Sequence, residues 1–179
     1  MVAFAQQYNP LAPDRINKMA SLKPSDLDSF DIAILAELER CNTTPLRVIG
    51  ERVNLSTAAV QRRIRSLEKG GVIQGNVAII DPEWAGKPIT VVTEVHMERT
   101  DISELNALKA AFSIPEIQQC YYVTGDADFF IIMNVRTMKD YEDIARRIFY
   151  EHKSVKWFRT IVVMDRVKIG ISAPFDVDK

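Results

Sequence analysis

Residues Pro45 to Lys69 read PLRVIGERVNLSTAAVQRRIRSLEK, which describes two short helices joined by a tight turn. The first runs from Pro45 to Val53, with Leu46, Ile49 and Val53 at helical spacing. Pro45 suits a first helical position, where its missing N–H leaves no intrahelical bond unmade. Gly50 is small enough for a second helix to cross closely. Asn54 falls where the chain must reverse, and Asn is one of the few non-glycine residues that tolerate left-handed backbone. Ser56 then supplies an oxygen to cap the second helix.

That second helix carries Val60, Ile64 and Leu67 as a single apolar stripe. At about 100° per residue, Ala58, Arg62, Arg65 and Lys69 point away from it, with Thr57 and Gln61 on one flank and Arg63 on the other. The segment holds six basic residues (Arg47, Arg52, Arg62, Arg63, Arg65, Lys69) against two acidic ones, Glu51 and Glu68. An ordinary solvated helix is also charged on its outer face. The paired helices, the Asn turn and the local excess of arginine together point instead to a helix-turn-helix that reads a DNA major groove. Ser56 and the first amides of the helix are then expected at phosphate. Arg62 and Arg65 are placed to enter the groove, Gln61 or Thr57 to read base edges, and Arg47, Arg63 and Lys69 to touch the backbone.

Working outward, Asp28 suits the N-cap of a preceding helix with Phe30, Ile34, Leu35 and Leu38 as its apolar face. Its exposed side is acidic (Asp31, Glu37, Glu39), so it packs across the pair and does not face phosphate. After Gly70-Gly71 stops the second helix, residues 72–80 (VIQGNVAII) are strand-like, and residues 27–82 read as a winged helix-turn-helix. Residues 1–26, with Pro10, Pro13 and Pro24, lack periodicity and read as a disordered arm or one that lies along a partner.

Residues 83–89 form a linker, and the pattern beyond it changes. Strands are expected at Thr90–Met97, Ile117–Val123, Phe129–Val135 and Val155–Val167, with helices at Ser103–Phe112 and Met138–His152. The order β-α-β-β-α-β over residues 90–169 is the ferredoxin-like split unit, ahead of a short tail, 170–179. Strands as apolar as Phe129–Met133 call for cover on the second sheet face, which another protomer would supply. The fold class is therefore α+β.

Composition bounds the partners. A net charge of −1 means that any DNA affinity comes from local clustering and not from the field of the whole chain. The apolar runs are too short to cross a bilayer, and the opening MVAFAQQYNP lacks the basic start and apolar core of a secretory signal. Cys41 and Cys120 have no pairing or metal-ligand spacing, so a cytoplasmic setting and two small core residues are expected, with no cofactor and no metal.

Three stretches carry a family resemblance. Leu27 to Leu35 (LDSFDIAIL) resembles the LDxxDxxIL opening of the leucine-responsive/asparagine-operon (Lrp/AsnC) regulators. Leu55-Ser56, Arg63 to Glu68 and Gly71-Val72-Ile73 resemble their LS…RvxxLExxGvI signature, and Cys120 to Asp128 resembles their C-x-x-V-[ST]-G-x-x-D motif. The resemblance spans residues 27 to about 168. It departs at Asn54, where the family usually has Gly, and at Asn76, where it usually has an aromatic residue.

The resemblance implies a DNA-binding transcriptional regulator with a RAM-type C-terminal domain. It implies homodimers, often built into octamers, a roughly palindromic operator on double-stranded DNA, and an amino-acid-like effector. The effector is expected at the loop Val123, Thr124, Gly125, Asp126, Ala127 and Asp128, with Arg159 and Thr160 nearby across a dimer–dimer contact. Gly125 allows close backbone approach to a carboxylate, and Asp126 or Asp128 can accept an ammonium group, although Gly-Asp-Ala-Asp is equally a good hairpin turn. The rival from another class is a tetrapyrrole (sirohaem) decarboxylase of the same two-domain shape without DNA binding, in which His96 would act with basic residues. The arginine-bearing second helix argues against an enzyme.

Overall fold

The computed structural model describes residues 22–98 and 101–170. The expectations for most of the N-terminal arm and for the tail beyond 170 lie outside the described residues. Those described fall into two compact units, one of the residues up to Ala78 together with 169–170 and one of residues Ile79–Lys168.

In the first unit, a 3-10 turn at Pro24–Asp26 precedes α1 (Ser29–Arg40), α2 (Leu46–Val53) and α3 (Thr57–Lys69). Asp28 caps α1 in a reciprocal box: its carboxylate accepts the Asp31 N–H, and the Asp31 carboxylate accepts the Asp28 N–H. Pro45 is the N-cap of α2 and not its first helical residue. Asn54 ends α2 in the left-handed region at φ 55°, as the turn requires. Ser56 caps α3 by accepting from the Ala59 N–H. Ile34, Ile49, Val53 and Val60 form the shared core of the three helices.

Gly50 serves the turn more than a helix crossing. A Cβ built there would lie 2.5 Å from the Leu55 carbonyl oxygen, while the Leu55 N–H donates to the Gly50 carbonyl at 2.9 Å. Gly50→Ala must push that backbone apart, which is expected to cost about 1–3 kcal/mol of domain stability. Urea unfolding followed by circular dichroism measures it, and an unchanged midpoint would refute this account of the turn.

Residues 72–80 correct the sequence reading: they form no strand. A strand needs a ladder partner, and among the described residues this stretch has none. Val77, Ile79 and Ile80 are exposed, and the Asn76 amide reaches back to Glu68 at 3.4 Å.

The second unit holds β1 (Ile89–Met97), α4 (Ile102–Ala111), β2 (Ile117–Tyr122), β3 (Phe129–Val135), α5 (Met138–Ala145, continued by a π turn, Arg146–Tyr150) and β4 (Val155–Val162). The sheet is antiparallel in the order β2-β3-β1-β4. β4 stops five residues before the expected Val167, because β1 begins at Ile89 and offers nothing to pair beyond the Val163 N–H bond to Thr90. Val91, Val95, Phe129, Ile131, Met133 and Val135 pack on Leu108, Phe112, Ile144, Ile148 and Phe149, so the core lies between the sheet and its helices. The alternate residues (Val92, Glu94, His96, Phe130, Ile132, Trp157, Arg159, Ile161) face the other way. Among the described residues, no helix is long and apolar enough to cross a membrane.

Both cysteines are exposed, not core. Cys41 follows α1 in a loop, where hydrogen bonding to Thr43 holds its thiol below the ordinary value. Cys120 lies on the edge strand β2.

Candidate functional site

The face of α3 is built by subtraction. Of the five arginines in residues 45–69, three are committed to carboxylates. Arg47 pairs with Glu51, and Arg52 with Glu37. Arg63 lies 2.9 Å from Asp28 and 2.8 Å from Asp31, with its guanidinium over the Phe30 ring. Its proton is held more tightly than usual, chiefly by the bond to Asp31, and its side chain is 27 % exposed. Arg63 therefore ties α3 to the start of α1. The acidic side of α1 and its cap hold Arg52 and Arg63, whereas Arg47 is paired within α2.

Arg62, Arg65 and Lys69 make no ion pair among the described residues. They are exposed, together with Thr57, Ala58 and Gln61. The Ser56 hydroxyl accepts the Ala59 N–H and keeps its own O–H free for an anion at the helix N-terminus. The Asp28 carboxyl is held below its ordinary value, first by the Asp31 N–H. Because the folded value is depressed, that contribution to stability is in place above pH about 4 and is lost as pH falls below it.

The second feature is the β2–β3 loop. The Val123 N–H donates to the Asp128 carbonyl and the Asp128 N–H to the Val95 carbonyl, closing the loop over the end of β1. Gly125 sits at φ +125°, a conformation that side chains rarely adopt, with open space where a Cβ would be. Beside the loop is an open pocket of about 500 Å³, lined by Val123, Thr124, Asp126 and Ala127 from the loop. The outer sheet face contributes Glu94, His96, Phe130, Trp157 and Arg159.

The structure thus brings Arg159 to the loop within one chain, where it pairs with Glu94 across β1 and β4. Three other expected residues, Gly125, Asp128 and Thr160, do not line the pocket. The Thr160 hydroxyl bonds Tyr141 on the helix side of the sheet. The Asp128 carboxylate accepts the Met97 N–H at 2.7 Å and borders a smaller cavity of about 220 Å³, so it secures the loop instead of awaiting an ammonium group. Glu94, Phe130 and Trp157 were not foreseen as site residues. The signal for them is strand register, which sets Glu94 opposite Arg159 and Phe130, and His96 opposite Trp157.

Comparison with known proteins meets this geometry from both ends. A model of the winged helix-turn-helix DNA-binding domain matches residues 27–74, and one of the Lrp/AsnC ligand binding domain matches residues 90–172. A leucine-responsive regulatory protein of Haemophilus influenzae is 33% identical over 154 residues, covering 86% of this chain and 93% of that one. The chain belongs to the Lrp/AsnC family. An HTH-type transcriptional regulator of Sinorhizobium fredii, itself described as uncharacterized, is 37% identical over 153 residues, 85% of this chain and 90% of that one. The crystal structure of an AsnC family transcriptional regulator from Agrobacterium tumefaciens superposes with a TM-score of 0.76 at 25% identity, covering 86% of this chain and all of that one. The protein is accordingly a DNA-binding helix-turn-helix transcriptional regulator with an Lrp/AsnC ligand-binding domain, and the relatives it matches are named as regulators. Nothing in these comparisons supports a tetrapyrrole decarboxylase.

Proposed function

We propose that this regulator recognises a specific, roughly palindromic operator in the cytoplasm as a homodimer or a higher assembly such as an octamer, and that an amino acid bound at the Val123–Ala127 pocket tunes that binding. The observation that carries the DNA reading is the division of the arginines. Of the five in residues 45–69, only Arg62 and Arg65, on the exposed face of α3, lack an ion pair among the described residues. A leucine-responsive relative at 33% identity supports an amino acid as the effector class. The loop amides, Asp126 and Arg159 supply the charges that a zwitterion needs.

The test is retardation of DNA from upstream of the regulator's own gene by the full-length protein, against a scrambled fragment of equal length. Specific retardation with a footprint of two half-sites about one helical turn or a multiple apart is expected, changed at least severalfold by one of the twenty amino acids. Equal binding to the scrambled fragment would overturn the operator reading. Indifference to all twenty amino acids would overturn the effector reading.

A further inference from the structure

Gly70 closes α3 at φ −74° and ψ −7°, a backbone conformation open to any residue, so the turn does not explain its glycine. Space does. A Cβ built there would lie 2.4 Å from the Leu22 Cδ1 and 2.7 Å from its Cγ. Gly70 is buried, and the half-buried Leu22 occupies the room that its missing side chain leaves. The Lys23 N–H then donates to the Asp26 carboxylate at 2.8 Å, and the Asp26 N–H to the Lys23 carbonyl at 2.9 Å, turning the chain towards α1. Leu22 thus fastens the stretch before it to the C-terminal end of α3, beside the exposed Lys69.

That stretch is basic. Residues 1–23 carry Arg15, Lys18 and Lys23 against Asp14 alone, in a chain whose net charge is −1. The carboxylates of the three helices are committed or turned away. Arg63 holds Asp28 and Asp31, Arg40 and Arg52 share Glu37, and Arg47 takes Glu51. Glu68 lies on the opposite side of α3 from Gly70, within reach of the Asn76 amide, and Glu39 stands at the far end of α1. Lys69, the neighbour on the exposed face, repels a cation. An extended chain spans at most about 3.6 Å per residue, so Lys18 reaches about 14 Å from Leu22 and Arg15 about 25 Å. For a helix lying in a major groove about 12 Å wide, the phosphates on both walls fall within that radius.

We infer that Leu22 anchors a second DNA contact, in which Lys18 and Arg15 neutralise backbone phosphates flanking the half-site under α3. Such a contact adds affinity and carries no sequence information. It rests on the proposed seating of α3 in the groove, and on neither the operator's sequence nor the effector. Leu22 is its positioning residue, and Gly70 supplies the seat.

The test uses the full-length Arg15→Gln, Lys18→Gln variant, titrated against the operator fragment and its scrambled counterpart between about 50 and 200 mM salt. Each phosphate no longer neutralised lowers the slope of log affinity against log salt by about 0.9, up to about 3.6 for the four cations of a dimer. Affinity for both fragments at about 100 mM salt should fall at least about 10-fold, with their ratio unchanged. Leu22→Ser and Gly70→Ala keep every charge but unseat the arm, and each should weaken both complexes severalfold. Leu22→Met, which refills the seat, should bind as the unaltered protein does.

An unchanged salt slope in Arg15→Gln, Lys18→Gln would overturn the inference, and so would undiminished affinity in both anchor variants. A change of sedimentation without a change of slope would also overturn it, by assigning the arm to a partner subunit. Arg62→Ala with Arg65→Ala is the reference: if that variant binds the operator normally, the seating of α3 falls and the inference with it. Arg15 and Lys18 precede the whole core of the first unit, so misfolding of an anchor variant does not shield the proposal.

Discussion

Replacing Arg62 and Arg65 together by alanine is expected to abolish specific retardation of the operator while leaving the protein folded and its assembly unchanged. Alanine is the best helix former, and neither arginine holds a carboxylate among the described residues, so α3 loses nothing it uses for its own stability. A bidentate arginine contact to a base edge is worth about 1–3 kcal/mol of discrimination. Four such side chains in a dimer amount to at least about 4 kcal/mol, roughly a 10³-fold loss of specific affinity. Salt separates this from a weakened grip on the DNA backbone: each phosphate that the protein no longer neutralises lowers the slope of log affinity against log salt by about 0.9. A variant that loses sequence preference with a nearly unchanged slope is impaired in base reading. Retardation of the operator equal to that of the unaltered protein would sink the assignment of α3 as the reading helix.

Arg63→Ala is the informative contrast, since it differs from Arg62→Ala by one position and by its surroundings. Its guanidinium bridges Asp28 and Asp31 some thirty residues upstream, so its loss acts first on the seam between α1 and α3. A helical wheel sets Arg63 on the flank of α3 but does not show its carboxylate partners, because it describes α3 alone. The same holds along the chain. Local signals were legible: the Asp28 cap, the Asn54 turn, the Ser56 cap and the apolar run Phe129–Val135, whose bounds match the observed strand. Features that depend on distant pairing were not. Residues 72–80 have the composition of a strand but pair with no strand among the described residues, and β4 ends where β1 runs out. The pocket was half visible. The loop motif pointed to Val123, Thr124, Asp126 and Ala127, whereas Glu94, Phe130 and Trp157 join it only through the register of three strands.

The same register makes the second prediction. Away from the charged pocket, the outer sheet face presents Val92, Ile132 and Ile161, with Val92 paired to both isoleucines across the two neighbouring strands. Ile161 is 41 % exposed at the sheet edge, and Tyr121 on β2 extends the apolar surface at 51 %. The helices already fill the opposite face, so a second copy of this sheet is the proposed cover. Ile132→Lys with Ile161→Lys is expected to convert the dimer to a monomer that remains folded. The two positions lie two strand spacings apart, about 10 Å, so their mutual repulsion within one sheet is small. Across a two-fold interface, however, four ammonium groups replace four buried aliphatic side chains. Each of those is worth about 1.5–3 kcal/mol, giving at least about 6 kcal/mol, or more than roughly 10⁴-fold in dimer dissociation. Sedimentation at micromolar concentration measures the state directly. Operator affinity should fall with it, by about 100-fold or more, although α3 is untouched. A lone helix-turn-helix keeps its hold on one half-site but loses the effective concentration that the joined second one provides. A variant that still sediments as a dimer would show that the apolar sheet face is not where the copies meet. A monomer that still binds the full operator with unchanged affinity would show that the spacing of the two reading helices is set elsewhere.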